Sequence, residues 1–311
     1  MNLKNIISFV VLINILTGCG EKEPKMEIEY NNILICSDLS SRIENNPNDS
    51  IMINMIIDYF VRDCVKPGLK TNDRSSIYFS RINEKASKCG MAKIDIGEID
   101  NLQEKQKFVN NTCENNNLKK AISEFKNTIG CVYSERDKVG LDILSLLNDK
   151  IENSGLIKKS ILIPTENDTT TLKFQNHLII FTDGYLEFSK KDGNKSYYFG
   201  EKEIKAIRNF CINNNCSLEQ AINNNPKFSI TPLISENNKF INLYVLETYD
   251  RGINQITGTI KNGGTLSDNN ILKLVWEKWA KDSGFKKFKW RTSTTGSPIT
   301  KDYIKNLIEQ E

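Results

Sequence analysis

Two short runs in the sequence place acids beside hydroxyls at spacings that suit oxygen chemistry. The first, Ser37-Asp38-Leu39-Ser40-Ser41-Arg42, directly follows the apolar run Ile33-Leu34-Ile35-Cys36. The second, Thr182-Asp183-Gly184, directly follows Leu178-Ile179-Ile180-Phe181. Carboxylates with neighbouring hydroxyls are hard oxygen ligands, suited to a divalent cation such as Mg²⁺. Either Asp alone reads better as a turn residue after a strand. The pair, each at the end of an apolar run, points instead to one shared crevice. Arg42 adds a guanidinium in sequence reach of Asp38, and such a group can hold a carboxylate through two parallel hydrogen bonds.

Other reactive side chains exclude more than they suggest. The chain has one histidine, His177, so a multi-histidine zinc site is ruled out and any hydrolytic triad has a single candidate base. His177 opens an apolar run and is expected to be a satisfied structural residue. Among eight cysteines no C-x-x-C pair occurs, which argues against a thiol oxidoreductase and a cysteine zinc cluster. Cys36 is expected as a buried free thiol, and Cys211 with Cys216 as a local disulfide; the remaining connectivity stays open. A net charge of +3 over 311 residues is not the footprint of a nucleic-acid binder. The alternating run Lys286 to Arg291 is expected to be an edge strand with charged outer positions.

The elements that must position these residues alternate between strand and helix. Apolar runs at 33–36, 176–181 and 240–246 fit strands buried on both faces. Half-exposed strands are expected at 75–82 and 92–99, and a final strand at 287–291. Helical spacing marks 48–67, 100–128 with a break in the Asn-rich stretch 115–117, 139–151, 201–222 with a break at 213–215, and 266–283. Such an order implies an α/β fold, Rossmann-like, with a mainly parallel central sheet, helices on both faces and one antiparallel edge strand. Ligands of open sheets of this kind bind at the carboxyl ends of the strands, where the strand order reverses.

The amino terminus reads as an address. Residues 1–18 hold one early lysine, a short apolar core and small residues before a cut site, the pattern of a secretory signal peptide. Leu16-Thr17-Gly18-Cys19 resembles a bacterial lipobox, which implies lipidation of Cys19 by palmitate-type acyl chains. Gly20 after the cysteine does not match the inner-membrane retention signal, and Glu21-Lys22-Glu23 is similar to an acidic surface-export tag. The expected location is the cell envelope, lipid-anchored at the outer membrane, with the face left open. The expected divisions are a signal peptide at 1–18, a tether at 19–30, one domain at 31–292 with an inserted helix near 100–128, and a tail at 293–311.

Around Asp38 and Asp183 the sequence resembles the von Willebrand factor A-like family, over about residues 31–292. That family carries Asp-x-Ser-x-Ser after its first strand, Asp (often Thr-Asp-Gly) after its fourth, and a Thr between them in a Gly-Thr-Asp-Ile helix start. Together these form a metal-ion-dependent adhesion site. Asp38, Ser40 and Asp183 match it; Arg42 stands at the third hydroxyl position, and Leu141 of Gly140-Leu141-Asp142-Ile143 stands at the threonine. Ser134-Glu135-Arg136-Asp137 lies nearby in sequence as a substitute source of oxygens. The resemblance implies a degenerate ion site and a membrane-anchored, non-enzymatic binding module. Such a module captures an acidic residue of a protein partner, through a divalent cation or through Arg42. Two alternatives stand beside it. One is a phosphohydrolase resembling the haloacid dehalogenases, with Asp38 as nucleophile, although Ser40 occupies the position of that chemistry's second aspartate. The other is a structural envelope lipoprotein with no ion site.

Overall fold

The structure, a computed structural model, describes residues 26–40, 47–69, 72–135, 140–164, 169–189, 193–253, 259–260, 266–293 and 302–310. The signal peptide, the lipobox with Cys19 and the guanidinium of Arg42 therefore lie outside the described residues. Strands are β1 (Glu27–Ser37), β2 (Ser76–Arg81), β3 (Ala92–Asp95), β4 (Ile161–Pro164), β5 (Thr169–Phe181), β6 (Ile241–Thr248) and β7 (Lys287–Thr292). Helices are α1 (Pro47–Tyr59, continued by a π-helical turn Phe60–Val65), α2 (Leu102–Val109), α3 (Leu118–Ser134) and α4 (Ile143–Asn153). They are followed by α5 (Glu201–Asn214), α6 (Leu218–Asn224), α7 (Asp268–Asp282) and α8 (Tyr303–Glu309).

The sheet order is β3-β2-β1-β5-β6-β7, with β4 pairing to β5 off this path. β1 is parallel to β2, β5 to β6 and β6 to β7, whereas edge strand β3 runs antiparallel to β2. The fold is the expected α/β arrangement. Chain order reverses between β1 and β5, so the switch point lies between the two strands that carry Asp38 and Asp183.

The chain divides into two units. The smaller gathers residues 1–29 and 160–173. In it β4 runs antiparallel to the start of β5, Thr171 N–H donates to the Met26 carbonyl (2.9 Å), and Lys173 pairs with Glu27 (2.7 Å). The larger unit, residues 30–159 and 174–311, carries the rim site described below.

Period-2 alternation of the central strands explains why helices cover both faces. Leu34, Cys36, Leu178, Ile180, Leu243 and Val245 enter one core, formed with α4, α5, α6 and α7. Their neighbours Ile33, Ile35, Ile179, Phe181, Tyr244 and Leu246 enter a second core, formed with α1, α2, α3 and α8. Trp276 and Trp279, one helical turn apart on α7, are fully buried in the first core and stack edge to face. They are core residues.

Three expectations are corrected. Strand β2 is buried along its whole length rather than half-exposed, because Tyr78 enters the first core, Ile77 and Phe79 enter the second, and its polar side chains find partners. Ser76 donates to Asn32 (2.6 Å), Lys150 donates to Ser80 (2.7 Å), and Arg81 pairs with Glu135 (3.2 Å). The inserted helix breaks over 110–117, not 115–117: Asn111 takes a positive φ of 57°, and Asn117 caps α3 through the Lys120 N–H. Lastly, the disulfide present is Cys89–Cys131, and Cys211 and Cys216 are thiols. The Cys211 thiol donates to the Ser217 carbonyl at 3.7 Å. Cys36 is a buried free thiol, as expected. Among the described residues no helix is long and apolar enough to cross a membrane.

Candidate functional site

The carboxyl ends of the four central strands are held level by hydrogen bonds that run past the strands themselves. Ile82 N–H donates to Ser37, Asp38 N–H to Phe181, and Thr182 N–H to Leu246, all to carbonyls at 2.9–3.2 Å. This ladder fixes a rim on which Asp38, Ser40, Thr182 and Asp183 sit side by side, all of them buried.

Asp38 folds back on its own chain: its Oδ1 accepts from the Ser40 N–H (3.0 Å), the local turn that aspartate favours after a strand. Its Oδ2 accepts from the Thr182 hydroxyl (3.0 Å), which ties the β1 loop to the β5 loop. Asp183 does the same with the Tyr185 N–H (3.1 Å), while its other oxygen meets the guanidinium of Arg251. The partners described for the two carboxylates do not overlap. The Ser40 hydroxyl is buried and has no hydrogen-bond partner among the described residues.

Arg251 follows β6 and is the centre of a second layer of charge. It spans Asp183 and Glu187 (2.6 Å to the latter), and its guanidinium lies 4.0 Å from the Tyr185 ring centroid. Burial opposes its charge, but the Asp183 carboxylate and then Glu187 outweigh it, and its pKa is raised. The Tyr185 hydroxyl accepts from the Arg251 N–H (3.1 Å) and donates to Asp268 (3.0 Å), which also pairs with Arg208 of α5. Burial, and next the Asp268 charge, raise the Tyr185 pKa. On the other side of Asp38, Ser37 shares a hydrogen bond with the Tyr133 hydroxyl (2.8 Å), and Tyr133 donates to Asp49 (2.9 Å). Thus α3, the inserted helix, packs on β2 and β3 and brings its last turn to the rim beside Asp38.

Gly184 explains how the second loop reaches this position. Its φ is +89°, its carbonyl accepts from the Trp276 indole (2.9 Å), and an added Cβ would lie 2.5 Å from the Trp290 ring. Glycine is required here both by backbone conformation and by close approach.

Other residues singled out in the sequence are not part of this rim chemistry. Leu141 packs against the first core and offers no oxygen. Glu135 is engaged by Arg81, the Ser87 hydroxyl and the Lys88 N–H. His177 is buried within β5, short of its carboxyl end, with Nδ1 3.1 Å from the Tyr244 hydroxyl and Nε2 3.1 Å from Asn31 Oδ1. Since Asn31 Oδ1 can only accept, Nε2 carries the proton. Burial, then Lys286 and Lys287, lower the His177 pKa to about 3. In the unfolded chain it titrates near 6.5, so the unfolded state binds the extra proton and stability falls as pH drops below 6.5. At about 1.4 kcal/mol per pH unit, roughly 2–3 kcal/mol is lost by pH 4.5. His177→Gln should flatten that slope in urea titrations read at pH 7 and pH 4.5; equal slopes would refute the assignment.

Among the described residues no three His, Cys, Asp or Glu side chains gather as a metal-holding group. The Ser40 hydroxyl, without a partner among the described residues, suits an ion ligand, but Arg251 already supplies positive charge to Asp183 and Leu141 packs into the first core. The donor set does not fit a resident divalent cation of the two-carboxylate kind. No family model matches the sequence, and no curated protein is significantly similar to it.

Arg251, Glu187, Tyr185, Tyr133 and Asp49 were not singled out in the sequence. Arg251 was the most accessible of them: Asp250-Arg251-Gly252 follows an apolar strand just as Asp183-Gly184 does.

Proposed function

We propose that the protein is a non-enzymatic binding module, similar to von Willebrand factor A-like domains, that captures a protein partner at the carboxyl rim of its sheet. The observation that carries this reading is the switch point itself. Two loops of opposite chain direction around the sheet are joined by the Thr182–Asp38 bond and backed by Arg251, Glu187 and Tyr185. Rigid loops on a parallel sheet form a pre-organised recognition surface. In this reading Arg251, with 29% of its side chain exposed, supplies the positive charge that meets an acidic residue of the partner.

The module is tethered to the envelope by acyl chains on Cys19, at the outer membrane. The Cys89–Cys131 bond supports an oxidising compartment. A phosphohydrolase reading is disfavoured by Asp38, which is 1% exposed with both oxygens in hydrogen bonds. A divalent cation remains a second reading because of the Ser40 hydroxyl. Its ligands would be Asp38 and Ser40, and Mg²⁺ or Mn²⁺ would then raise Tm in the wild type and not in Ser40→Ala.

The test is a photo-crosslinking amino acid at exposed Ser189, near Glu187 on the rim, compared with one at exposed Lys239, which precedes β6 at the base. Irradiation in the producing envelope should give a discrete protein adduct from position 189 only, lost in Arg251→Met. Equal labelling from both positions, or none from the rim, removes the reading.

A further inference from the structure

The smaller unit leaves large apolar side chains in water. Met26 is 58% exposed, Ile161 44% and Leu162 67%. Single exposed apolar residues are ordinary on a protein surface, whereas several on one small element call for a reason. Strand β4 is apolar at every position and exposed or half-exposed along its length. Its register sets Ile161 and Ile163 opposite Leu172 and Thr170 on one face, and Leu162 opposite Thr171 on the other. Both faces of this strand therefore present hydrocarbon. Edge strands that face water are guarded by charge, as β7 is by Lys287, Lys289 and Arg291, but β4 carries none. Alternate N–H groups of β4 already face β5 and Pro164 has none, so little backbone is left for another strand to pair with.

The chain itself indicates what meets this surface. Cys19, the residue that bears the acyl chains in the anchored reading, stands seven residues before Met26. At no more than about 3.6 Å per residue, Met26 stays within about 25 Å of that residue whatever path the tether takes. The Thr171 N–H bond to the Met26 carbonyl (2.9 Å) and the Lys173–Glu27 pair (2.7 Å) join this end of the tether to the start of β5. Strand β4, paired to the same stretch of β5, is carried to the membrane with it.

We propose that the β4–β5 pair rests on the bilayer that holds the Cys19 acyl chains, with Met26, Ile161 and Leu162 seated at the boundary between headgroups and acyl chains. The attraction is apolar. Among the described residues the charges of this unit are Glu27, Glu29 and Lys173, and the lysine is paired with Glu27. Interfacial binding of such a surface follows its buried apolar area. The acyl chains hold the protein on the membrane; the strand pair fixes how the smaller unit lies there. The proposal rests on lipidation of Cys19 and is independent of what the rim binds.

Ile161 and Leu162 fall in one tryptic peptide, Ser160 to Lys173, bounded by Lys159 and Lys173. The test places the mature protein, purified from its own envelope, in phosphatidylcholine vesicles carrying a diazirine on the acyl chains. After irradiation and digestion, mass spectrometry reads the label on each peptide, and the N-terminal peptide reports acylation of Cys19. Label on Ser160–Lys173 should exceed by about tenfold that on Ile43–Arg62, whose Ile51 is 51% exposed. Leu162→Asp, at an exposed position, should keep its Tm and lose most of the label, and high salt should change nothing. Equal labelling of the two peptides, undiminished labelling of Leu162→Asp, or loss of label in salt overturns the proposal while an acylated Cys19 upholds the anchor. An unacylated Cys19 removes the anchor and the proposal together.

Discussion

Replacing Arg251 by Met should lower the stability of the fold by about 3 kcal/mol or more. Removing one partner of a buried ion pair typically costs about 3–5 kcal/mol, because the other charge keeps its desolvation penalty. The Asp183 side chain is 0% exposed and Glu187 is 23% exposed, so two carboxylates would lose one counter-charge together. The lower end of the range applies, since Arg251 itself is 29% exposed and water screens part of the loss. At roughly 2–4 °C per kcal/mol for a domain of this size, Tm should drop by on the order of 10 °C. Asp183→Asn should cost less alone, because Arg251 keeps Glu187, and the double variant should be more stable than Arg251→Met. Denaturant titrations of the two single variants and the double variant close the cycle. Strict additivity, or a loss below about 1 kcal/mol for Arg251→Met, would show that the charge is not held by this pair.

Gly184→Ala should be nearly as damaging for a different reason. The added methyl would lie 2.5 Å from the Trp290 ring and 3.5 Å from a Thr248 methyl group, on a backbone with φ +89°. Trp290 cannot simply swing away, because its indole donates to Asn269 at 3.1 Å. Overpacking costs about 1–3 kcal/mol, and a left-handed position disfavours alanine by about 1 kcal/mol besides. A combined loss of about 3 kcal/mol follows, accompanied by loss of rim crosslinking, since this residue aims Asp183. Trp290→Leu in the same chain should return the steric part and leave the backbone part. Gly184→Ala with unchanged Tm would mean that the turn has another conformation within reach.

The fold was legible in the sequence, and the partners of the candidate residues at the rim were less so. Runs such as Ile33–Cys36 and Leu178–Phe181 are apolar at every position, short, and fit a strand covered on both faces. That feature predicted both the two cores and the rim at their carboxyl ends. A local signal also survived: Asn213 to Asn215 ended one helix. What could not be read was every partner supplied from far along the chain. Arg251 meets Asp183 and Tyr133 meets Ser37 only once the sheet order is known, and the same holds for Cys89 and Cys131. The polar alternation of β2 misled because Ser76, Ser80 and Arg81 look solvent-facing until Asn32, Lys150 and Glu135 arrive to bond them.

Among the described residues the two cores form separate clusters that share the central strands. Adjacent residues of one strand therefore answer to different helical layers: Ile179 belongs with α1 and α3, and Ile180 with α4 and α5. Trimming either by a methyl group should quicken amide hydrogen exchange mainly in the layer it faces. Each flank can loosen by itself while the opposite flank keeps the strand ladder in register, which gives a rigid centre two independently adjustable sides.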